Sequence, residues 1–211
     1  MPSRYRAVVF DLLTALLDSW SLWNEVAQDP ARGLEWRLRY LELVYRAGRY
    51  RPYEDLVREA AVAAGLGPEA GFAILKRWDQ LEPWPEVPEV LAQLSGRVRL
   101  GVLTNCSREL GRRAADLVGT AFDAVITAEE VGWYKPDPRT YRTALQALGT
   151  SPAETLFVAG SPGDVKGARA AGMPVVWHDR WGLRGESPAP EAMLVLDSLD
   201  SLPGVVFTAE F

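Results

Sequence analysis

Four short polar stretches of this 211-residue chain carry side chains suited to chemistry, and each one borders an apolar run. Asp11 closes the run Ala7-Val8-Val9-Phe10. A carboxylate at the tip of a buried strand serves as a nucleophile, as a metal ligand, or as a cap for the next turn. Thr104 and Asn105 close a second apolar run. Their hydroxyl and amide suit an anionic oxygen or, alternatively, the N-cap of the following helix, a role for which Ser107 is equally available. Lys135 lies in Gly-Trp-Tyr-Lys-Pro-Asp-Pro, where two prolines stiffen the segment. Its ammonium suits neutralising a carboxylate or a departing anion, though it also reads as a surface lysine before a helix. Asp164 follows Gly-Ser-Pro-Gly and opens a helix. The helix dipole alone favours an acid there, and the backbone N–H groups of the turn form a natural anion cradle.

The elements that must position these groups are legible as an alternation. Short valine-rich runs at 7–10, 97–103, 124–127, 155–159, 174–177 and 193–196 read as strands buried on both faces. Helical segments fall at 87–94, 108–118, 139–148 and 165–171, with Gly149 and Gly172 as stops. Such alternation predicts an α/β fold with a Rossmann-like, mostly parallel sheet and right-handed crossovers. Ligands in such sheets bind beyond the carboxyl ends of the strands. That places Asp11, Thr104-Asn105 and the 160–164 turn along one edge.

Residues 16–81 read differently. Leu34, Leu38, Leu41 and Tyr45 form a helical stripe expected to pack inward. Segments 53–64 and 68–78 also read as helix, and Pro83, Pro85 and Pro88 bound the block. The expected organisation is a catalytic core of 1–15 plus 82–211, with a helical cap at 16–81. Arg37 stands one residue off the leucine stripe. It either leans toward the core or is solvated on an arginine-rich helix.

Composition narrows the function. A net charge of −5 argues against a nucleic-acid partner. No run approaches the roughly 20 apolar residues of a membrane span. Cys106 is the only cysteine and His178 the only histidine. No intrachain disulfide, His-rich metal site or four-cysteine zinc site is therefore available, and a cytoplasmic location is expected.

Order and spacing together resemble the haloacid dehalogenase superfamily of aspartate-nucleophile hydrolases. Residues 11–14 match its first motif, 103–105 its second, 135–138 its third and 159–164 the region of its fourth. The helical block matches the cap inserted after the first motif. Within the superfamily the pattern is most similar to the L-2-haloacid dehalogenases. Phe-Asp-Leu-Leu-Thr resembles their first motif, Trp36-Arg37 the segment supplying their substrate-binding arginine, and Lys135 with Tyr141 their Lys and Tyr pair. The resemblance implies a nucleophile at Asp11, tuning by Lys135, and water activation near Asp164. It also implies a substrate site of Thr14, Arg37, Thr104, Asn105, Tyr141 and Ser161, with Arg37 pairing with substrate or halide. The implied substrate is a small anion, a 2-substituted carboxylic acid, and no metal or cofactor is expected. A homodimer through cap helices is a further implication, the eight tryptophans serving either that interface or the core.

The chain also departs from its relatives. Phosphatases of the superfamily carry an acid two residues after the nucleophile, where this chain has Leu13, which cannot donate a proton to a leaving alkoxide. They also carry a Mg2+-binding acid where this chain has Ala159 or Gly160. The dehalogenases place serine and asparagine where this chain has Ala159 and Ser161, and a bulky aromatic where it has Gly163. Two alternatives therefore stand beside the dehalogenase-like reading: a Mg2+-dependent phosphatase on a small phosphomonoester, and a degenerate member that binds a small anion without turnover.

Overall fold

The computed structural model describes residues 3–182 and 192–207. In chain order the elements are β1 (Ala7–Phe10), α1 (Ser19–Ala27), α2 (Pro30–Ala47), α3 (Tyr53–Ala63), α4 (Pro68–Lys76) and α5 (Val87–Leu94). There follow β2 (Arg99–Thr104), α6 (Arg108–Leu117), β3 (Ala124–Thr127), α7 (Ala128–Val131) and α8 (Pro138–Leu148). The chain continues through β4 (Thr155–Ala159), α9 (Pro162–Ala170), β5 (Val175–His178), β6 (Leu194–Leu196) and α10 (Leu202–Phe207).

The strands form a parallel six-stranded sheet in the order β3-β2-β1-β4-β5-β6. This is the Rossmann-like α/β architecture expected from the alternation. β1 is central because all four of its residues are apolar and fully buried. Its side chains alternate between faces: Val8 and Phe10 join one hydrophobic cluster, Ala7 and Val9 the other. Chain order reverses across β1, with β2 on one side and β4 on the other. The crevice of an open parallel sheet lies at such a reversal.

Helices α1 to α4 pack on one another, and the Val8–Phe10 cluster continues into them through Trp23, Trp36, Tyr53 and Trp78. The packing face of α2 corrects the expectation from the leucine stripe. Leu34 is 42% exposed, Leu38 46% and Tyr45 42%, whereas Gly33, Trp36, Arg37, Tyr40 and Val44 are buried. The helix carries two apolar stripes, and the aromatic one wins because Trp36 and Tyr40 each bury more area than a leucine. Gly33 fixes the rotation, since a Cβ there would fall 2.2 Å from Asn24 Oδ1 on α1. Arg37 is therefore on the buried face, not beside it.

Two further boundaries shift. The fourth-motif helix begins at Pro162, three residues before the expected start, because Ser161 caps it by accepting the Asp164 N–H. Helices α1, α7 and α10 were not anticipated. The last two are only 4 and 6 residues long, too short for a periodic pattern. Among the described residues no helix is long and apolar enough to cross a membrane.

Candidate active site

The carboxyl ends of β1, β2 and β4 bring Asp11, Thr104 and Ser161 to one cavity of about 30 Å3. Its lining also includes Thr14, Arg37, Asn105, Lys135 and Asp164. The volume suffices for a few ordered waters, or for the reacting end of a small ligand that displaces them. A wider groove of about 490 Å3, around Arg6, Arg97 and Asp123, lies at the opposite, amino-terminal edge of the strands.

Asp11 is held from every side. The backbone N–H groups of Thr14 and Ala15 donate to Oδ2 at 3.1 and 3.3 Å. Lys135 Nζ donates to Oδ1 at 2.7 Å. The loop that follows is buried and clamped from outside. Trp84 Nε1 donates to the Thr14 carbonyl at 2.9 Å, and His178 Nδ1 lies 2.9 Å from the Ala15 carbonyl. A carbonyl only accepts, so Nδ1 carries the proton. His178 is thus a prop for the first-motif loop.

Lys135 Nζ also lies 3.0 Å from Asp164 Oδ1, so one ammonium bridges two carboxylates. Its loop is anchored at two adjacent residues. Asn105 Oδ1 accepts the Lys135 backbone N–H at 2.8 Å, and Tyr134 N donates to the Gly48 carbonyl at 2.7 Å, just beyond α2. With its carbonyl oxygen engaged, the Asn105 amide can offer a ligand its nitrogen.

The two acids respond in opposite directions. Burial pushes the Asp11 carboxyl up, but the Lys135 charge and hydrogen bond, the Arg37 charge and the Thr14 N–H outweigh it. The carboxyl is held below its ordinary range. Asp164 is also raised by burial, and the neighbouring Asp11 charge adds to that, so Lys135 and Ser161 do not restore it and it stays raised. Burial alone would discharge Lys135, yet the two carboxylates hold its pKa above the ordinary lysine value. Two acids pushed apart in this way suit different tasks: an ionised nucleophile and a proton-accepting base.

Arg37 reaches the cavity from α2. Its Nη2 donates to Thr14 Oγ1 at 3.2 Å, while Nε and Nη1 are buried with no hydrogen-bond partner. The rings of Trp23, Trp20 and Tyr40 surround the guanidinium at 5.0, 5.3 and 5.6 Å. Such rings favour a cation but do not accept its in-plane N–H groups. A buried donor pair left open in this way is costly unless an anion completes it.

Tyr141 is not brought to the cavity. Its ring lies beneath the site against Phe157, fully buried, and its hydroxyl donates to the Asp164 carbonyl at 3.4 Å. Its helix, α8, packs against α9, so the side chain meets Asp164 from below. Thr104 lines the cavity, and its hydroxyl donates to Cys106 Sγ at 3.2 Å. Burial pushes the Cys106 thiol up to about 12, so it is no nucleophile. Sequence reasoning passed over Trp20, Trp23 and Tyr40 around Arg37, and read Tyr45 only as part of the inward stripe, whereas it lines the cavity. The i, i+4, i+8 run of Trp36, Tyr40 and Val44 was the signal available.

A Mg2+ ion does not fit this donor set. Mg2+ usually draws on one or two protein carboxylates, and the two at this cavity are Asp11 and Asp164. Lys135 already occupies the space between the two carboxylates. A Cβ at Gly160 would fall 2.4 Å from Asp11 Oδ2 and 3.0 Å from the Ala15 nitrogen, so no third carboxylate enters from there.

Known proteins are similar to this chain over most of its length. The family model for haloacid dehalogenase-like hydrolases matches residues 5–172. The chain is 31% identical over 194 residues to an (S)-2-haloacid dehalogenase of a Pseudomonas species, across 84% of each chain. It is 40% identical over 150 residues to a phosphoserine phosphatase of Thermus thermophilus, a match covering 67% of this chain and 59% of that relative, under two thirds of its length. The crystal structure of L-2-haloacid dehalogenase from Xanthobacter autotrophicus superposes with a TM-score of 0.82 at 26% identity, over 95% of this chain and 98% of that one. The chain accordingly belongs to the haloacid dehalogenase-like hydrolases.

Proposed function

We propose that this hydrolase cleaves a small 2-substituted carboxylic acid, a 2-haloacid as for its dehalogenase relatives, through an ester on Asp11. One observation carries the reading: a buried guanidinium with two unpartnered donor atoms faces a Lys-bridged carboxylate pair in a cavity unfit for Mg2+. In the first step a carboxylate oxygen of Asp11 attacks carbon 2, and the carbon–halogen bond breaks with its electron pair on the halide. Arg37 receives the negative charge that the substrate brings or releases, and Lys135 keeps Asp11 ionised. In the second step water adds to the carbonyl carbon of the ester while Asp164 takes its proton. The acyl–oxygen bond breaks, the 2-hydroxy acid leaves with a proton, and Asp11 retains one oxygen from water.

Thr14, Thr104, Asn105 and Ser161 supply polar contacts to the substrate, and Tyr141 supports Asp164 from beneath. The catalytic core comprises 1–15 and 82–211, and the cap 16–81; residues 1–2, 183–191 and 208–211 of that core lie outside the described ones. The exposed Leu34 and Leu38 on one face of α2 support a homodimer through the cap, checked by sedimentation of Leu38→Glu. The lone buried Cys106 supports a reducing, cytoplasmic setting.

The phosphatase relative favours a second reading, Mg2+-dependent release of phosphate. Leu13 in place of the general acid and the closed approach at Gly160 oppose it. The deciding experiment measures halide and phosphate release from panels of 2-haloacids and phosphomonoesters, after EDTA dialysis and with Mg2+ restored. Halide release that survives EDTA is expected. Phosphate release that vanishes with EDTA and returns with Mg2+ overturns the reading, and silence on both panels favours the non-catalytic anion binder.

A further inference from the structure

The geometry points to Tyr45 and Gly163 as the pair that limits substrate length, an inference resting on the function proposed above. Tyr45 stands on the last turn of α2 and lines the cavity beside Leu41, Ser161 and Asp164. At 42% it is the most exposed of the lining residues, most of which are buried. Yet its phenolic end is sunk into the site. A Cβ at Gly163 would lie 2.2 Å from the Tyr45 hydroxyl oxygen and 2.7 Å from Cζ. The hydroxyl faces Ser161 and Asp164. The ring therefore spans from solvent to the cavity and rests on the bare backbone of Gly163, near the start of α9. It is the wall between the reacting carboxylates and bulk water.

Most of the remaining walls are buried and tied together by hydrogen bonds and ion pairs through Asp11, Thr14, Lys135 and Asp164, with Leu41, Asn105 and Ser161 half-buried. A substrate tail longer than the small cavity can hold meets the most exposed wall at Tyr45. The cavity of about 30 Å3 takes the reacting end of an acid, and the longer the tail, the further the ring must move. Gly163 is the other half of the device, because any side chain there would push the phenol out.

The test is halide release from 2-chloropropanoate, 2-chlorobutanoate and 2-chlorohexanoate by wild type, Tyr45→Ala, Tyr45→Phe, Gly163→Ala and the Tyr45→Ala/Gly163→Ala double variant. Tyr45→Ala should raise the kcat/KM ratio of hexanoate to propanoate by about tenfold or more, the scale of a few added methylenes in a pocket. Tyr45→Phe keeps the ring and should leave the ratio within about twofold. Gly163→Ala should raise the ratio only where Tyr45 is present, so its effect disappears in the double variant. A parallel readout needs no turnover: quenching of tryptophan fluorescence by unsubstituted hexanoate and propanoate should show the same shift in relative affinity. If wild type releases halide and the ratio is unchanged in Tyr45→Ala, the length limit is wrong and the function stands. If wild type releases no halide from any acid, the functional reading falls and this inference with it.

Discussion

The strand tips and helix α2 deliver side chains to the same cavity under different constraints. Asp11 and Ser161 stand within two residues of the ends of β1 and β4, and Thr104 is the last residue of β2. The ladder of the sheet sets their positions, and local backbone satisfies much of their polarity, as with the two N–H groups on Asp11. Arg37 and Tyr45 are placed by the rotation of one helix, which depends on Trp36, Tyr40 and a close approach at Gly33. Polar groups at the sheet edge are largely paired, while Arg37 and its neighbours Trp20 and Trp23 keep buried donors open. Under the proposed function the edge serves the covalent step, and the helix the anion that comes and goes.

The largest effect should come from the edge. Asp11→Asn should lower halide release by more than about 10^4-fold, as loss of a nucleophile does elsewhere. Circular dichroism should show the fold intact, because asparagine still accepts from Thr14 and Ala15. Turnover in labelled water that never labels the Asp11 carboxylate would break the covalent scheme.

Lys135→Ala tests the bridge. Removing the ammonium leaves two buried carboxylates facing each other, a loss of about 3–5 kcal/mol by analogy with other broken buried pairs. The pH dependence follows from linkage. In the wild type Asp11 is held low, so its stabilisation is present above the ordinary aspartate pKa and fades as pH falls through its lowered value. Without Lys135 both acids rise, and ionising them costs stability as pH increases. The deficit in urea unfolding should therefore be larger at pH 7 than at pH 4, and the acid limb of any residual activity should move upward. An equal deficit at both pH values would show that the bridge is not electrostatic.

These first tests address what the sequence made plain. Every strand of the sheet was foreseen within two residues, because a buried parallel strand is a short apolar run with a polar tip. That Asp11, Thr104 and Ser161 meet at one cavity beyond those tips follows from the same alternation. The helical block was harder. Helix α2 shows two apolar stripes, and a single sequence does not say which one faces inward when both repeat at helical spacing. Helix α1, Ser-Trp-Ser-Leu-Trp-Asn-Glu-Val-Ala, hides its period behind Ser19, Trp20 and Trp23, which are all buried. Tyr141 was misplaced because burial beneath a site and exposure within it look alike in sequence.

Arg37 sharpens the comparison further. Arg37→Lys should raise KM by about ten- to hundredfold, the scale of lost hydrogen bonds to a charged group, with kcat changed less. Arg37→Met should bind no better, yet melt no lower than wild type, because it removes buried donors without partners. A drop of several degrees would assign the arginine a structural role.

The smallest effect, at Leu38, separates the two stripes of α2 when set against Trp36. Trp36→Ala should cost about 3–5 kcal/mol as a core truncation, whereas Leu38→Glu should change the folding free energy of the monomer by less than about 0.5 kcal/mol. Comparable losses in chemical denaturation would mean that the helix is rotated from the orientation described.

The close approach at Gly160 has a historical consequence. Introducing a carboxylate there takes a single base change, since each glycine codon is one base from an aspartate or a glutamate codon. Yet the first atom of that side chain would land 2.4 Å from Asp11 Oδ2 and 2.8 Å from the Thr14 Cβ. The loop from Asp11 to Ala15 would have to yield first, and Trp84 and His178 clamp it. Any lineage carrying this arrangement faces a barrier of several coordinated replacements before it could gain a carboxylate at this position, and the present packing works as a ratchet against that step.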